Sequence, residues 1–184
     1  MKPQLVVLAG PNGAGKTTFY EEFLSGLRLP FLNADAFEAQ TGIPSIEAAR
    51  MLDAIREELI GNRTSYITET VFSDPFGSKL ALLKKAVEAG YEVALIYIAV
   101  EPPLSAARID QRVAIGGHDV PRDRIASRFK RSIVNLRKAI RFVPLVKIYD
   151  NSSVHDPFQL IAIYKDGERT FISEAVPRWA QLGL

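Results

Sequence analysis

The chain opens on an apolar run, Leu5 to Ala9, that breaks into glycine at position 10, and strand-like apolar runs then alternate with helix-period stretches as far as residue 149. From Lys16 to Leu27 a helix is predicted, with Phe19, Phe23, Leu24 and Leu27 on one face. Phe31-Leu32-Asn33 reads as a short strand, closed by Asp35. Ser45 is placed to cap a helix in which Ile46, Ala49, Leu52, Ile55 and Leu59 recur at spacings of three and four, with Gly61 at its end. Tyr66 to Glu69 predicts a third strand, and a helix from Ser78 to Ala89 stops at Gly90. Val93 to Val100 is apolar without interruption, as in a strand covered on both faces. Helices at about 103–115 and 121–141 flank Gly116-Gly117-His118, and Leu145 to Tyr149 reads as a fifth strand. Asp166-Gly167 then turns a hairpin between Leu160–Tyr164 and Arg169–Ser173. The pattern implies an α/β fold with a mainly parallel five-stranded sheet and a C-terminal antiparallel hairpin at about 159–173.

With 184 residues and 47% hydrophobic content, one core and one domain over 1–184 suffice. The apolar run at 93–100 is far short of the about 20 residues a membrane span needs, so a transmembrane helix is not expected. Nor do the few apolar residues after Met1-Lys2-Pro3 make a secretory leader, and a cytoplasmic protein is the expectation. The absence of cysteine removes disulfide and thiol chemistry. A net charge of +2 is too mild to argue for nucleic acid. Its distribution matters more: residues 35–75 balance to −5 and residues 108–141 to +7, a division that suits phosphoryl transfer but also describes solvated helix faces.

Gly10-Pro11-Asn12-Gly13-Ala14-Gly15-Lys16-Thr17 fits G-x-x-x-x-G-K-[ST] between a strand and a helix, the context that a phosphate-binding P-loop requires. The fold expectation sharpens to a three-layer P-loop NTPase or kinase. The backbone amides of Gly10 to Thr18 are expected to cradle ATP, with Lys16 on the β- and γ-phosphates and Thr17 on Mg²⁺.

Water-splitting ATPases usually end an apolar strand in paired acids, whereas the best such strand here ends Ala99-Val100-Glu101-Pro102-Pro103. No LSGGQ-like or N-K-x-D stretch is present, which leaves the small-molecule kinase pattern. In that pattern Asp35, closing the second strand in "LNADAF", is the candidate base toward a hydroxyl, or else a helix cap. Glu69, in "ITETV", orients the acceptor or holds Mg²⁺ through water, unless it is merely a satisfied strand-end carboxylate, and Thr70 assists either. The double glycine predicts a hinge in a lid over about 103–141. From that lid Arg112, His118, Arg124 and Arg128 are candidates to reach phosphates, with a solvated basic face as the alternative. The stripe Ile125, Phe129, Ile133, Leu136, Ile140 faces the core. A nucleotide-dependent switch acting on a protein or nucleic acid is the competing reading.

"GPNGAGKTT", "NAD", "ET" after the third strand, "GGHDVP" before the basic helix and "YDNS" at 149–152 form an ordered series over most of residues 4–152. In this series the chain resembles the zeta toxin group of P-loop kinases, especially its short, single-domain bacterial members. Zeta toxins are similar to kinases that phosphorylate a hydroxyl of UDP-N-acetylglucosamine, blocking cell-wall precursor synthesis, and an antitoxin holds them inactive. The resemblance implies that Lys16 and Thr17 bind ATP·Mg²⁺, that Asp35 is the base, that Glu69 contacts the acceptor and that the lid bases stabilise the transferring phosphate. It also implies an antitoxin partner. One departure is Glu38, where long members tend to carry an arginine after the base. An acid there repels an acceptor diphosphate by about 1 kcal/mol if exposed.

Overall fold

The computed structural model describes residues 1–114, 116 and 121–181. Seven strands, β1 Gln4–Ala9, β2 Phe31–Leu32, β3 Tyr66–Thr70, β4 Glu92–Ala99, β5 Leu145–Asp150, β6 Gln159–Lys165 and β7 Glu168–Ile172, form one sheet in the order β2-β3-β1-β4-β5-β6-β7. The first five in that order run parallel, while β6 and β7 add on antiparallel beside β5. The expected hairpin is therefore an extension of the same sheet. Because all five parallel strands point the same way, β1, β3, β4 and β5 deliver their C-terminal ends to one edge, where ligands of open α/β sheets bind.

Helices cover both faces, giving three layers. On one face Leu83 of α4 (Ser78–Glu88), Leu136 of α6 (Arg122–Ile140) and Trp179 of α7 (Arg178–Gln181) share a core with Leu5, Val7, Leu95 and Tyr97. Tyr97 is fully buried there, its hydroxyl 2.7 Å from Ser132 Oγ, and burial pushes the phenol pKa up. The opposite face is covered by the segment after the P-loop, where Phe19 and Leu24 pack on Leu8, Ile67, Ile96 and Ile98. A small third cluster joins Ile109 of α5 (Pro102–Ala114) to Ile125 of α6.

Four local expectations change. The helix predicted over 16–27 starts as α1 (Lys16–Phe19), widens to a π-helical turn at Tyr20–Leu24 and tightens to a 3₁₀ turn at Ser25–Leu27. The wider turn slips the phase of the face, so Phe19 and Leu24 are buried while Phe23 and Leu27 are exposed. Pro44, not Ser45, holds the cap position of α3 (Ser45–Gly61). Asp35 does not close β2. The strand ends at Leu32, Asn33 accepts the amide hydrogen of Ala36 at 3.0 Å as a helix cap, and Asp35 lies in the first turn of a further helix, α2 (Ala34–Thr41). The end of the helix predicted to reach 115, and Gly117 and His118 in the proposed hinge, lie outside the described residues.

The C-terminal helix α7 is fastened by one side chain: Trp179 Nε1 donates to Asp150 Oδ1 at 2.6 Å, both groups being buried. Replacing Trp179 with Phe keeps most of the ring volume but removes the donor from a buried carboxylate, a loss of about 1–3 kcal/mol. Thermal unfolding of W179F is expected to show a Tm several degrees lower; an unchanged Tm would mean that this bond contributes nothing to stability.

Candidate active site

The turn from β1 into α1 lies hard against the central strand. A Cβ added to Gly10, whose φ is 146°, would sit 1.9 Å from the Ile98 carbonyl oxygen, so no other residue fits. The carbonyls of the following residues are engaged one after another. Lys16 Nζ donates to Pro11 O at 3.1 Å, Ser105 Oγ to Asn12 O at 2.6 Å, Arg108 Nη1 to Gly13 O at 3.4 Å and Asn151 Nδ2 to Ala14 O at 2.9 Å. Arg108 also reaches Asn151 O at 2.9 Å, and Arg128 Nη1 donates to Asn12 Oδ1 at 3.3 Å. The Asn151 amide fills the space beside Gly15, where a Cβ would meet Nδ2 at 2.4 Å. With its carbonyls tied to α5 and to the residue after β5, and its Asn12 side chain to α6, the loop is held in shape by the protein's own donors.

Above it opens a cleft of about 220 Å³ lined by Asn12, Gly13, Gly15, Lys16, Thr17, Thr18, Asp35, Glu69, Val71 and Arg112. Lys16 is buried, its ammonium 3.5 Å from Glu69 Oε1, and a phosphate entering here competes with that carboxylate. The other Glu69 oxygen accepts from Asn33 Nδ2 at 2.6 Å. Asp35, exposed on the first turn of α2, borders the same cleft from the far side.

The cleft thus brings together Lys16, Thr17, Thr18, Asp35, Glu69 and Arg112 from the sequence reading. Arg128 touches the loop at Asn12 but does not line the cleft. Thr70 faces the other way: alternation along β3 turns its hydroxyl to the opposite side of the sheet from Glu69, where Oγ1 accepts from Phe72 N at 3.1 Å. Arg124 is exposed on α6 away from the cleft. Among the missed residues, Asn33 carried a legible signal, a cap residue directly before a helical stretch. Ser105 and Arg108 had none, because their partners are chosen only when α5 crosses the loop.

Residues 32–168 match the family model for zeta toxin. The chain belongs to the zeta toxin family. The match begins at β2, so the P-loop stands on its own motif and geometry. Among solved structures, chains of the AvrRxo1-ORF1:AvrRxo1-ORF2 complex resemble it at TM-scores of 0.72 with sulphate ions and 0.70 with ATP, both at 18% identity. They cover 95% and 98% of this chain, which spans only 62% of theirs. A chain from the PezAT chromosomal toxin-antitoxin system of Streptococcus pneumoniae superposes at a TM-score of 0.64 and 20% identity, over 99% of this chain and 77% of that one. At these identities the likeness is one of fold. No curated protein matches this chain significantly in sequence.

Position in the cleft separates the arginines. Arg112→Ala is expected to lower kcat for ATP turnover by about 10-fold or more with a smaller change in the KM for ATP, since a phosphate-facing cation acts mainly in the transition state. Arg124→Ala is expected to stay within about twofold of wild type in both constants. Equal losses in the two variants would overturn this division.

Proposed function

We propose that this zeta toxin family protein is an ATP-dependent kinase that transfers the γ-phosphate to a hydroxyl of a small molecule, with UDP-N-acetylglucosamine as the acceptor its family implies. The observation that carries the reading is the composition of one cleft: a P-loop lysine and threonine on one wall, an exposed carboxylate on another and an arginine beside them. Lys16 and the loop amides hold the β- and γ-phosphates. Asp35 accepts or aligns the acceptor proton. Arg112 offsets charge on the transferring group, and Glu69, once released from Lys16, orients the acceptor. Thr17 and Glu69 offer hard oxygen donors of the kind Mg²⁺ takes. Among the described residues no three His, Cys, Asp or Glu side chains converge as a metal site, which fits an ion that arrives with the nucleotide. When bound, Mg²⁺ neutralises phosphate charge. An antitoxin partner belongs to the same proposal, as the PezAT neighbour comes from a toxin-antitoxin system. So does a cytoplasmic location, where ATP is available; among the described residues no helix is long and apolar enough to cross a membrane.

A second reading, a nucleotide-driven switch on a polyanionic partner, draws on the exposed Lys130, Arg131 and Lys138 along α6 and Arg141 just after it. ADP release separates the two. Stimulation by UDP-N-acetylglucosamine or another small hydroxyl compound supports the kinase, and stimulation only by DNA, RNA or protein supports the switch.

The kinase reading makes Asp35 and Lys16 fail differently. Asp35→Asn keeps the shape and removes the charge, and transfer is expected to drop by about 10²-fold or more with ATP affinity retained. Lys16→Ala is expected to weaken ATP binding itself while the far-UV circular dichroism stays native. Normal transfer by the Asp35→Asn variant would remove Asp35 as the base.

A further inference from the structure

Asn33 uses both ends of its side chain, and each end holds a different wall of the cleft. Its Oδ1 accepts from Ala36 N at 3.0 Å and so fixes the start of α2, the helix that carries Asp35. Its Nδ2 donates to Glu69 Oε2 at 2.6 Å, while Glu69 Oε1 lies 3.5 Å from Lys16 Nζ. Asn33 is only 9% exposed, so neither contact is exchanged freely with water. Helix α2 has no fully buried residue and packs against α3, and this cap fixes where it starts. A chain of contacts therefore runs from the phosphate-gripping lysine through Glu69 and Asn33 to the helix bearing Asp35.

We propose that Asn33 is a positioning residue that couples nucleotide occupancy at Lys16 to the placement of Asp35. The proposal rests on the kinase reading for its consequence in turnover, but not for the coupling itself. A nucleotide's β- and γ-phosphates compete with Glu69 for Lys16. The displaced carboxylate keeps its bond from Asn33, and Asn33 passes the shift to the first turn of α2. An alanine would lose both contacts, so the informative substitutions keep the cap. Serine and aspartate cap helices as well as asparagine does. Serine is too short to span to Glu69, and aspartate replaces the N–H donor with a second carboxylate.

Asn33→Asp keeps the cap but sets a second carboxylate where the amide donor faced Glu69, so it breaks the same link as Asn33→Ser by a different route. A merely structural role would lower stability in both variants without separating kcat from KM and without changing the response of α2 to nucleotide.

The test has two arms. In the first, ADP release with UDP-N-acetylglucosamine as acceptor is measured for the wild type, Asn33→Ser and Asn33→Asp. Both variants are expected to lose about 10-fold or more in kcat with the KM for ATP within about threefold. In the second arm, amide hydrogen exchange across α2 is followed on adding a non-hydrolysable ATP analogue. Nucleotide is expected to change α2 protection in the wild type and not in Asn33→Ser. An Asn33→Ser kcat close to wild type, or the same α2 response in both proteins, would overturn the proposal. If the wild type releases no ADP with this acceptor, the kinase reading with UDP-N-acetylglucosamine fails and the exchange arm alone decides the coupling.

Discussion

Gly10 lies so close to the Ile98 carbonyl that even a methyl group would collide at 1.9 Å, and that approach seats the P-loop directly on the central strand. The rest of the cleft takes its geometry from this seat. β4 is buried along most of its length, so the surface beneath the loop does not yield. Once the loop rests there, Ser105 and Arg108 on α5 and Asn151 after β5 come within reach of its carbonyls. Glu69 meets Lys16 because β3 and β1 pair in register, Leu8 opposite Glu69, one residue short of the strand ends.

Two adjacent residues at the end of β5 divide the work of joining the molecule's outer parts to this seat. Asp150 receives Trp179 from the C-terminal helix and the Ser152 hydroxyl at 2.8 Å, which offset the desolvation of a buried carboxylate. Asn151 faces the loop and also receives Arg108. A strand end that alternates its side chains between two faces can thus bind a helix behind the sheet and a phosphate loop in front of it.

Strand alternation, the P-loop and the basic helix were legible because each rests on a local signal: continuous apolar runs, a glycine-spaced motif, a 3.6-residue stripe. The seven-stranded extent of the sheet was partly legible, since Asp166-Gly167 marks a hairpin turn but not the strand it will join. Less local features were hidden. The π-helical turn at Tyr20–Leu24 breaks the periodicity from which its buried face was inferred. The side to which Thr70 points depends on where β3 starts, and a reading that treats Glu69 and Thr70 as neighbours overlooks their opposite facing. Asp35 was read as a strand terminus because β2 is only two residues long, too short to show where extended chain becomes helix.

The two walls of the cleft differ in how much of them is built into the core. The nucleotide side rests on buried strands and hydrogen-bonded carbonyls, whereas α2, with no buried residue, closes at Gly42 in a left-handed turn and meets mainly α3. Opening such a helix uncovers only half-buried apolar groups, Ala34 and Phe37, and none from the fully buried core, so its local unfolding free energy lies toward the low end of the protein's range. Rigidity is therefore asymmetric. A ligand on the loop side meets buried, hydrogen-bonded backbone, while one that leans on α2 must also hold that helix against opening, at about 1–2 kcal/mol of backbone entropy for each residue it keeps from opening. Affinity on that side then reflects conformational freedom as much as contacts, and substitutions that stiffen α2 without touching any ligand would tighten binding there.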